Sequence, residues 1–441
     1  MRMVIINKSD STGGAAVVSR RLMEALRREG VDAKMLVLEK LTDSPFVCQW
    51  SENNDGLERL ELWARLSVKF KFLWERLKIF LANGLNKSTL FKIDTGEEGL
   101  PLWKHPLVKD ADAILINWVN QGMLSLKGFQ KILELKKPVI WTMHDMWEMT
   151  GICHHAWKCR HFEKECGNCE LLGRNASSKD LSHKVWERKN KIYSNKDLTR
   201  NLTFVAVSSW LKEKAMESSL LKNMRVEVIP NAFDLKKQGV SNTKRDESEK
   251  EENKIRILFG AARLDDPIKG LDTLKETARI LNRNYPETAS RIEIAMFGSV
   301  KDPDALNGFE LPVVELGVLR GEYAVRQAYE TSQIVVSASS YETLPGTLVE
   351  AQAYGCIPVS FNQGGQKDIV KDGETGFIVD YSENLEERAG NLAKGILKAI
   401  ELIGEREKLE SMKERMRENV EEKFAYQSVA REYMRYTKVE S

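Results

Sequence analysis

The chain has 441 residues, 42% hydrophobic and 30% charged, the balance of a folded protein of two or three domains and not of a disordered one. Its 67 basic and 65 acidic residues leave a formal net charge of +2, so no bulk field calls for nucleic acid as a partner. Its 6 cysteines are too few for a secreted disulfide scaffold of this length, and no uncharged apolar run approaches the roughly 18 residues of a membrane span.

The opening MRMVIINKSD reads as a short buried strand, because no long apolar core or small-residue cleavage site follows; this predicts a cytoplasmic protein. Further buried strands are predicted at 34–38, 113–118, 138–143 and 203–207, with a weaker one at 226–229, after the first at 3–7. The intervals mostly have room for a helix, which makes a βαβ series with a parallel sheet. Residues 60–81 carry a broad apolar face at helical spacing (Leu62, Trp63, Leu66, Phe70, Leu73, Trp74, Leu77, Phe80, Leu81). Arg65, Lys69 and Arg76 flank it on one side, Lys71 and Lys78 on the other, and Val68, Phe72 and Ile79 form a narrower second stripe. Two readings stay open: a helix packed on the core under a loop, or one lying on an anionic membrane surface.

After residue 144 comes a Cys-x5-Cys-x6-Cys-x2-Cys run, Cys153, Cys159, Cys166 and Cys169, with His154, His155 and His161 among them. In a reducing compartment this spacing fits a structural zinc that staples a loop, with free thiols or disulfides as the alternatives. Residues 236–254 are nearly all polar and charged and read as a linker. The alternation then restarts, with strands predicted at 255–259, 291–297, 313–316, 333–337, 357–361 and 377–379, before a charged helical stretch from about 387 to 436. Two doubly wound α/β domains are expected, about 1–235 and 255–415, with ligands at the carboxyl ends of their strands.

The strongest chemical signal is Ser340-Tyr-Glu342-Thr-Leu-Pro345-Gly346-Thr-Leu-Val-Glu350-Ala, placed after a predicted strand and opening a helix. Pro345 suits a helix start, and the amides of Gly346, Thr347 and Leu348 then present partial positive charge to a phosphate. Glu350 is placed to accept from ribose hydroxyls and Glu342 from those of a sugar. Upstream, Gly260-Ala-Ala-Arg263-Leu-Asp-Asp-Pro-Ile-Lys269-Gly270 supplies a guanidinium for bidentate grip on a diphosphate and an ammonium point charge. Taken singly, each of these charges also fits a solvated helix flank.

The Glu-x7-Glu pair Glu342/Glu350 behind Arg263 and Lys269-Gly270 resembles the donor site of the family 4 glycosyltransferases, which have the GT-B fold. Thr12-Gly13-Gly14-Ala15-Ala16 after the first strand and Trp141-Thr-Met-His144-Asp145-Met-Trp147 after another extend the resemblance to the first domain. It implies two nucleotide-fold domains facing across a cleft, with the last helix (416–441) returning to the first. It also implies transfer of a sugar from a nucleoside-diphosphate sugar, with retention, to a glycan or lipid-linked glycan in bacterial surface polysaccharide assembly. Arg263 and Lys269 would hold the diphosphate, Glu350 the ribose and Glu342 the donor sugar. His144 would sit beside the reacting centre, and Gly13 and Gly14 would let backbone approach phosphate. Pro345 stands where many relatives have glycine and removes one amide donor. No catalytic metal or cofactor is implied, and membrane contact through 60–81 would bring the enzyme to a lipid-linked acceptor. On the residues alone His144 also fits a satisfied imidazole, and Gly13 and Gly14 plain turn glycines. Another GT-B enzyme, an epimerase or phosphorylase, and a non-catalytic sugar-nucleotide-binding protein remain open. A dehydrogenase is disfavoured because no Gly-x-Gly-x-x-Gly follows the first strand.

Overall fold

The computed structural model describes residues 1–51, 58–235 and 254–437, the first eleven of the helix from Glu58 as backbone alone. All but the last residue of the predicted linker 236–254, and the side chains of Leu62, Trp63, Arg65, Leu66 and Val68, lie outside the described residues. The chain divides into two units, one from Met1–Phe233 with Tyr426–Ser441 and one from Asp234–Ala425.

The first unit holds a parallel sheet of β1 (Arg2–Ser9), β2 (Asp32–Glu39), β3 (Val47–Gln49), β4 (Ala113–Ile116), β5 (Val139–Met143), β6 (Leu202–Ala206) and β7 (Val226–Val228). The spatial order is β3-β2-β1-β4-β5-β6-β7. Every residue of β4, β5 and β6 is buried, because helices cover both faces of a parallel sheet; such strands read as unbroken apolar runs. β3 has three residues, too short for a periodicity, and among the described residues is the one strand the sequence did not announce.

The second unit repeats the plan with β8 (Ile255–Arg263), β9 (Ile292–Ser299), β10 (Val313–Gly317), β11 (Ile334–Ser337), β12 (Ile357–Phe361) and β13 (Phe377–Val379). Its order is β10-β9-β8-β11-β12-β13. In both sheets the order reverses beside the first strand: β1 pairs with β2 and β4, and β8 with β9 and β11. The connections leave such neighbours toward opposite faces, so their carboxyl-end loops diverge and a crevice opens between them.

Helix α1 (Gly14–Arg28) and the helix Tyr426–Arg435 pack together in the first unit, where Leu22, Leu26, Val429 and Tyr433 share a core with Met3 and Met35. Tyr426 Oη donates to Glu24 Oε2 at 3.1 Å. The preceding helix Arg406–Phe424 belongs to the second unit, where Asn419 Nδ2 donates to Gln352 Oε1 at 2.9 Å. The return to the first unit therefore begins at Tyr426 and not at 416.

Helix α2 (Glu58–Ala82) forms over the amphipathic segment, and of the described residues of its narrow stripe Ile79 is buried and Phe72 half-buried. Glu75 and Arg76 are buried as well, while Phe70, Leu73, Trp74, Leu77 and Leu81 are exposed. The described part of the helix thus packs on the rest of its unit through Glu75, Arg76 and Ile79, while these members of the broad face stay outside that contact. Among the described residues no helix is long and apolar enough to cross a membrane.

Candidate functional site

In the second unit the candidate residues gather at the point where the strand order reverses. β8 ends at Arg263, and the following turn, Pro267–Lys269, is capped by Asp266, whose Oδ1 accepts from the Ile268 amide at 3.2 Å. Gly270 takes the left-handed conformation, φ 75° and ψ 35°. A Cβ there would stand 2.1 Å from the Ala338 carbonyl oxygen just past β11. Only glycine lets the turn close on that strand end. The approach is fixed by the Ser340 amide, which donates to the Ile268 carbonyl at 2.9 Å. One consequence is that Lys269 Nζ donates to Glu342 Oε1 at 2.6 Å, with both side chains mostly covered.

Glu342 is held from its other side by the loop after β12. Gly365 N–H donates to the Glu342 carbonyl at 2.9 Å, and Gly364, at φ +63°, would bring a Cβ within 2.2 Å of the same oxygen. Helix Gly346–Ala353 starts immediately after Pro345, which has the extended backbone of a cap and offers no side-chain cap. The Leu348 amide turns back to the Pro345 carbonyl at 3.2 Å. It is therefore not one of the outward donors expected, and that role falls to the first-turn amides of Gly346 and Thr347. Further along the helix, Glu350 Oε2 accepts from Tyr329 Oη at 2.9 Å. Burial, then the Glu350 charge, keeps that phenol's pKa well above its ordinary value.

Arg263 does not reach Glu342. Its Nη2 lies 3.1 Å from Asp266 Oδ2 and its Nε 3.4 Å from Asp265 Oδ1. Asp266 thus ties Arg263 to the turn that carries Lys269. The structure brings Arg263, Lys269, Glu342 and the head of helix Gly346–Ala353 to one sheet edge. What results is a positive helix start beside two cations, each cation neutralised by a carboxylate that an incoming anion would have to displace.

The first unit has a matching arrangement at its own reversal point. Gly13, at φ 88° and ψ 167°, caps α1, a conformation that excludes a side chain. Gly14 opens the helix with nothing within 4 Å of where its Cβ would be. Across the reversal, His144 follows β5 and its Nε2 sits 2.8 Å from Asn117 Oδ1, just past β4. An amide oxygen only accepts, so Nε2 carries the proton. Among the described residues the buried Asn117 Nδ2 has no partner, and Asn117, Thr142 and His144 share a recess with Asn231 and Tyr433. Tyr433 Oη is 2.9 Å from Thr142 Oγ1, which ties the C-terminal helix to the strand that presents His144.

Burial lowers the His144 pKa to about 4, with Asp145 opposing. The ring is therefore a neutral hydrogen-bonding group at neutral pH. The next residue behaves oppositely. Burial alone would raise the Asp145 pKa, but the charge and hydrogen bond of His154, Nδ1 to Oδ2 at 2.9 Å, hold it down at about 2. Trp118 Nε1 adds a bond to the same oxygen at 3.1 Å. Because the unfolded chain protonates His144 first as pH falls, the stability its neutral ring confers is complete above about 6.5 and is lost as pH falls toward about 4. His144→Gln should flatten that part of the stability–pH curve in denaturant titrations, and parallel curves would contradict the assignment.

Cys153, Cys159 and Cys169 are partly covered and Cys166 is buried, all as free thiols. Burial pushes Cys166 up to about 12 and Cys169 to about 11. The Gly151 amide donates to Cys166 Sγ at 3.2 Å, and His161 Nδ1 sits 2.6 Å from the Gly167 carbonyl. Among the described residues no group of three or more His, Cys, Asp or Glu side chains is placed to hold a metal ion. A cavity of about 270 Å³ in the first unit, lined by Leu126, Gln130, Ile192 and Leu198, includes none of the candidate residues.

Four contributors escaped the sequence. Asp266, an aspartate before proline, carried a readable cap signal. Tyr329 and Gly364 gave none, since each meets its glutamate only through the sheet. Asn117 becomes legible once β4 is known to lie beside β1.

Residues 240–420 match the family Glycosyl transferases group 1. An uncharacterized 41.2 kDa protein in the cps region of Klebsiella pneumoniae is 24% identical over 217 residues, 46% of this chain and 55% of that protein. The chain thus spans about half the length of that curated relative. A glycosyltransferase from Rickettsia africae superposes with a TM-score of 0.63 at 14% identity, covering 99% of this chain and 98% of the other. Anabaena HepE in complex with UDP-glucose superposes at 0.55, also at 14% identity and with 99% and 98% covered. These likenesses establish the fold as GT-B, two Rossmann-like α/β domains, and the second half of the chain is similar in sequence to the group 1 glycosyltransferases.

Proposed function

From that sequence similarity and fold, we propose that the chain moves a sugar from a nucleoside-diphosphate sugar to a glycan or lipid-linked glycan acceptor, with retention, in surface polysaccharide assembly. The observation that carries the reading is the Lys269–Glu342 pair, at 2.6 Å, set at the head of helix Gly346–Ala353. A diphosphate has the charge to draw Lys269 away from Glu342, with Arg263 as second cation and the Gly346 and Thr347 amides as neutral donors. Glu342 is then released to accept from sugar hydroxyls, and Glu350, oriented by Tyr329, from the ribose.

In the first unit the Asn117 Nδ2, without a partner among the described residues, offers a hydrogen bond to a sugar oxygen beside the neutral His144, whose Nε2–H holds the Asn117 amide in place, and Gly13 and Gly14 leave room for backbone to approach phosphate. Stabilising the departing diphosphate lowers the barrier because its charge grows as the sugar–oxygen bond breaks. The HepE complex supports a nucleotide-sugar donor, and the cps-region relative supports a polysaccharide product. Retention rests on the family resemblance, and the anomeric proton signal of the product tests it: an inverted product overturns it.

A thermal-shift panel of nucleoside diphosphates and their sugar conjugates tests the donor. The cognate one, at a hundred times its dissociation constant, should add ~2.7 kcal/mol of stability. A flat panel would remove the basis of the proposal.

A further inference from the structure

Helix α2 plays no part in the site above. Its orientation is set by a buried polar cluster: Arg76 Nη2 donates to Asp94 Oδ2 at 2.8 Å, and Arg76 Nη1 to the Leu90 and Ile93 carbonyls at 2.9 and 3.1 Å. Glu75 Oε1 accepts from the Thr95 amide at 3.2 Å and from its hydroxyl at 2.5 Å. Rotating the helix to bury its broad apolar face would strand these groups in solvent or against apolar walls, and unpaired buried charge is costly. The cluster therefore forces the apolar face outward. Phe70, Leu73, Trp74, Leu77 and Leu81 are 45–67% exposed, and Phe91, which lies under the Arg76 guanidinium, is 59% exposed. A contiguous exposed patch of this kind marks an interaction surface.

The charge along this stretch is mostly positive. Residues 69–92 contain six basic residues and a single carboxylate, Glu75, and that carboxylate is buried. Lys69, Lys87 and Lys92 are exposed, while Lys78, whose Nζ lies 5.7 Å from the Trp74 ring, is paired with Glu97 at 3.0 Å. A second copy docked on this face by a twofold axis would set lysines against lysines. A lipid surface offers what the face lacks: acyl chains for Leu, Phe and Trp, and anionic headgroups for the exposed lysines. We infer that the outer face of α2, together with Phe91, docks the protein on an anionic membrane surface. The helix lies in the plane of the interface and does not cross it.

The test needs neither donor nor turnover, so it stands apart from the transfer reaction. The full chain is sedimented with vesicles of phosphatidylcholine alone and of phosphatidylcholine with about a third phosphatidylglycerol. Binding to the anionic vesicles is expected, weakening with salt. Leu73→Glu with Leu77→Glu, and separately Lys69→Glu with Lys87→Glu and Lys92→Glu, should each lower partitioning roughly tenfold or more. All the substituted side chains are exposed, so unchanged melting temperatures are expected and confirm that folding is not the cause. Absence of binding, equal binding to both vesicle types, or retention by both variants overturns the inference. A wild-type dimer that Leu73→Glu with Leu77→Glu dissociates, without vesicle binding, overturns it in favour of self-association.

Discussion

Lys269→Ala is expected to abolish most sugar transfer, with a loss of about a hundred- to a thousandfold, or roughly 2.7–4 kcal/mol of transition-state stabilisation. The size follows from two effects acting together. The ammonium that would meet the departing diphosphate is removed, and Glu342, which it held at 2.6 Å, is left as an unpaired anion beside the phosphates. Lys269→Ala with Glu342→Gln removes the second effect. It should recover part of the lost nucleoside-diphosphate binding while transfer stays low. Glu350→Ala acts differently. It strips the partner of Tyr329 and the acceptor for ribose, so donor affinity falls while binding of inorganic diphosphate does not. Steady-state kinetics with calorimetric binding of the nucleoside diphosphate separates the two. Near-normal turnover in both purified variants would sink the donor-site assignment.

Gly270→Ala is expected to cost as much through the backbone as Lys269→Ala does through charge. Alanine at φ 75° carries the left-handed penalty of roughly 1–2 kcal/mol. Its Cβ would also lie 2.1 Å from the Ala338 oxygen, a backbone atom that cannot swing aside. The turn must lift away from β11, carrying Lys269 from Glu342. The expected outcome is a lower melting temperature together with loss of nucleoside-diphosphate binding. Gly14→Ala is the matched comparison. It has open space around it and sits at a helix start, so stability should hold within about 1 kcal/mol. If transfer nevertheless fails in Gly14→Ala, the glycine serves close approach of a ligand and not the fold. If Gly270→Ala melts and binds like the wild type, the tight turn is not what positions Lys269.

The Lys269–Glu342 contact also shows where sequence reading stops at this site. Both residues stood out as charges in suggestive places, yet they are 73 positions apart. Their meeting depends on the strand order, which sets β8 beside β11, and on two glycines, Gly270 and Gly364, that permit the loops to touch. Leu348 is the opposite case: its amide was expected to face a ligand, but the first turn of the helix consumed it in a bond to Pro345. Local spacing specifies which groups lie near a helix start; the pitch of that turn decides which of them point outward.

The alternating apolar runs by themselves determined the two doubly wound sheets, because a parallel strand buried on both faces has to be apolar along its whole length. Among the described residues they missed only β3, whose three residues are too few to carry a pattern. Helix α2 was equally plain as a helix, but its orientation was not. Its periodicity displays two apolar stripes, and the broader one would ordinarily face the core. Arg76 reversed that choice by finding Asp94, 18 residues downstream, in a buried ion pair. A helical period says which side chains share a face, and only the groups waiting in the tertiary structure decide which face turns inward.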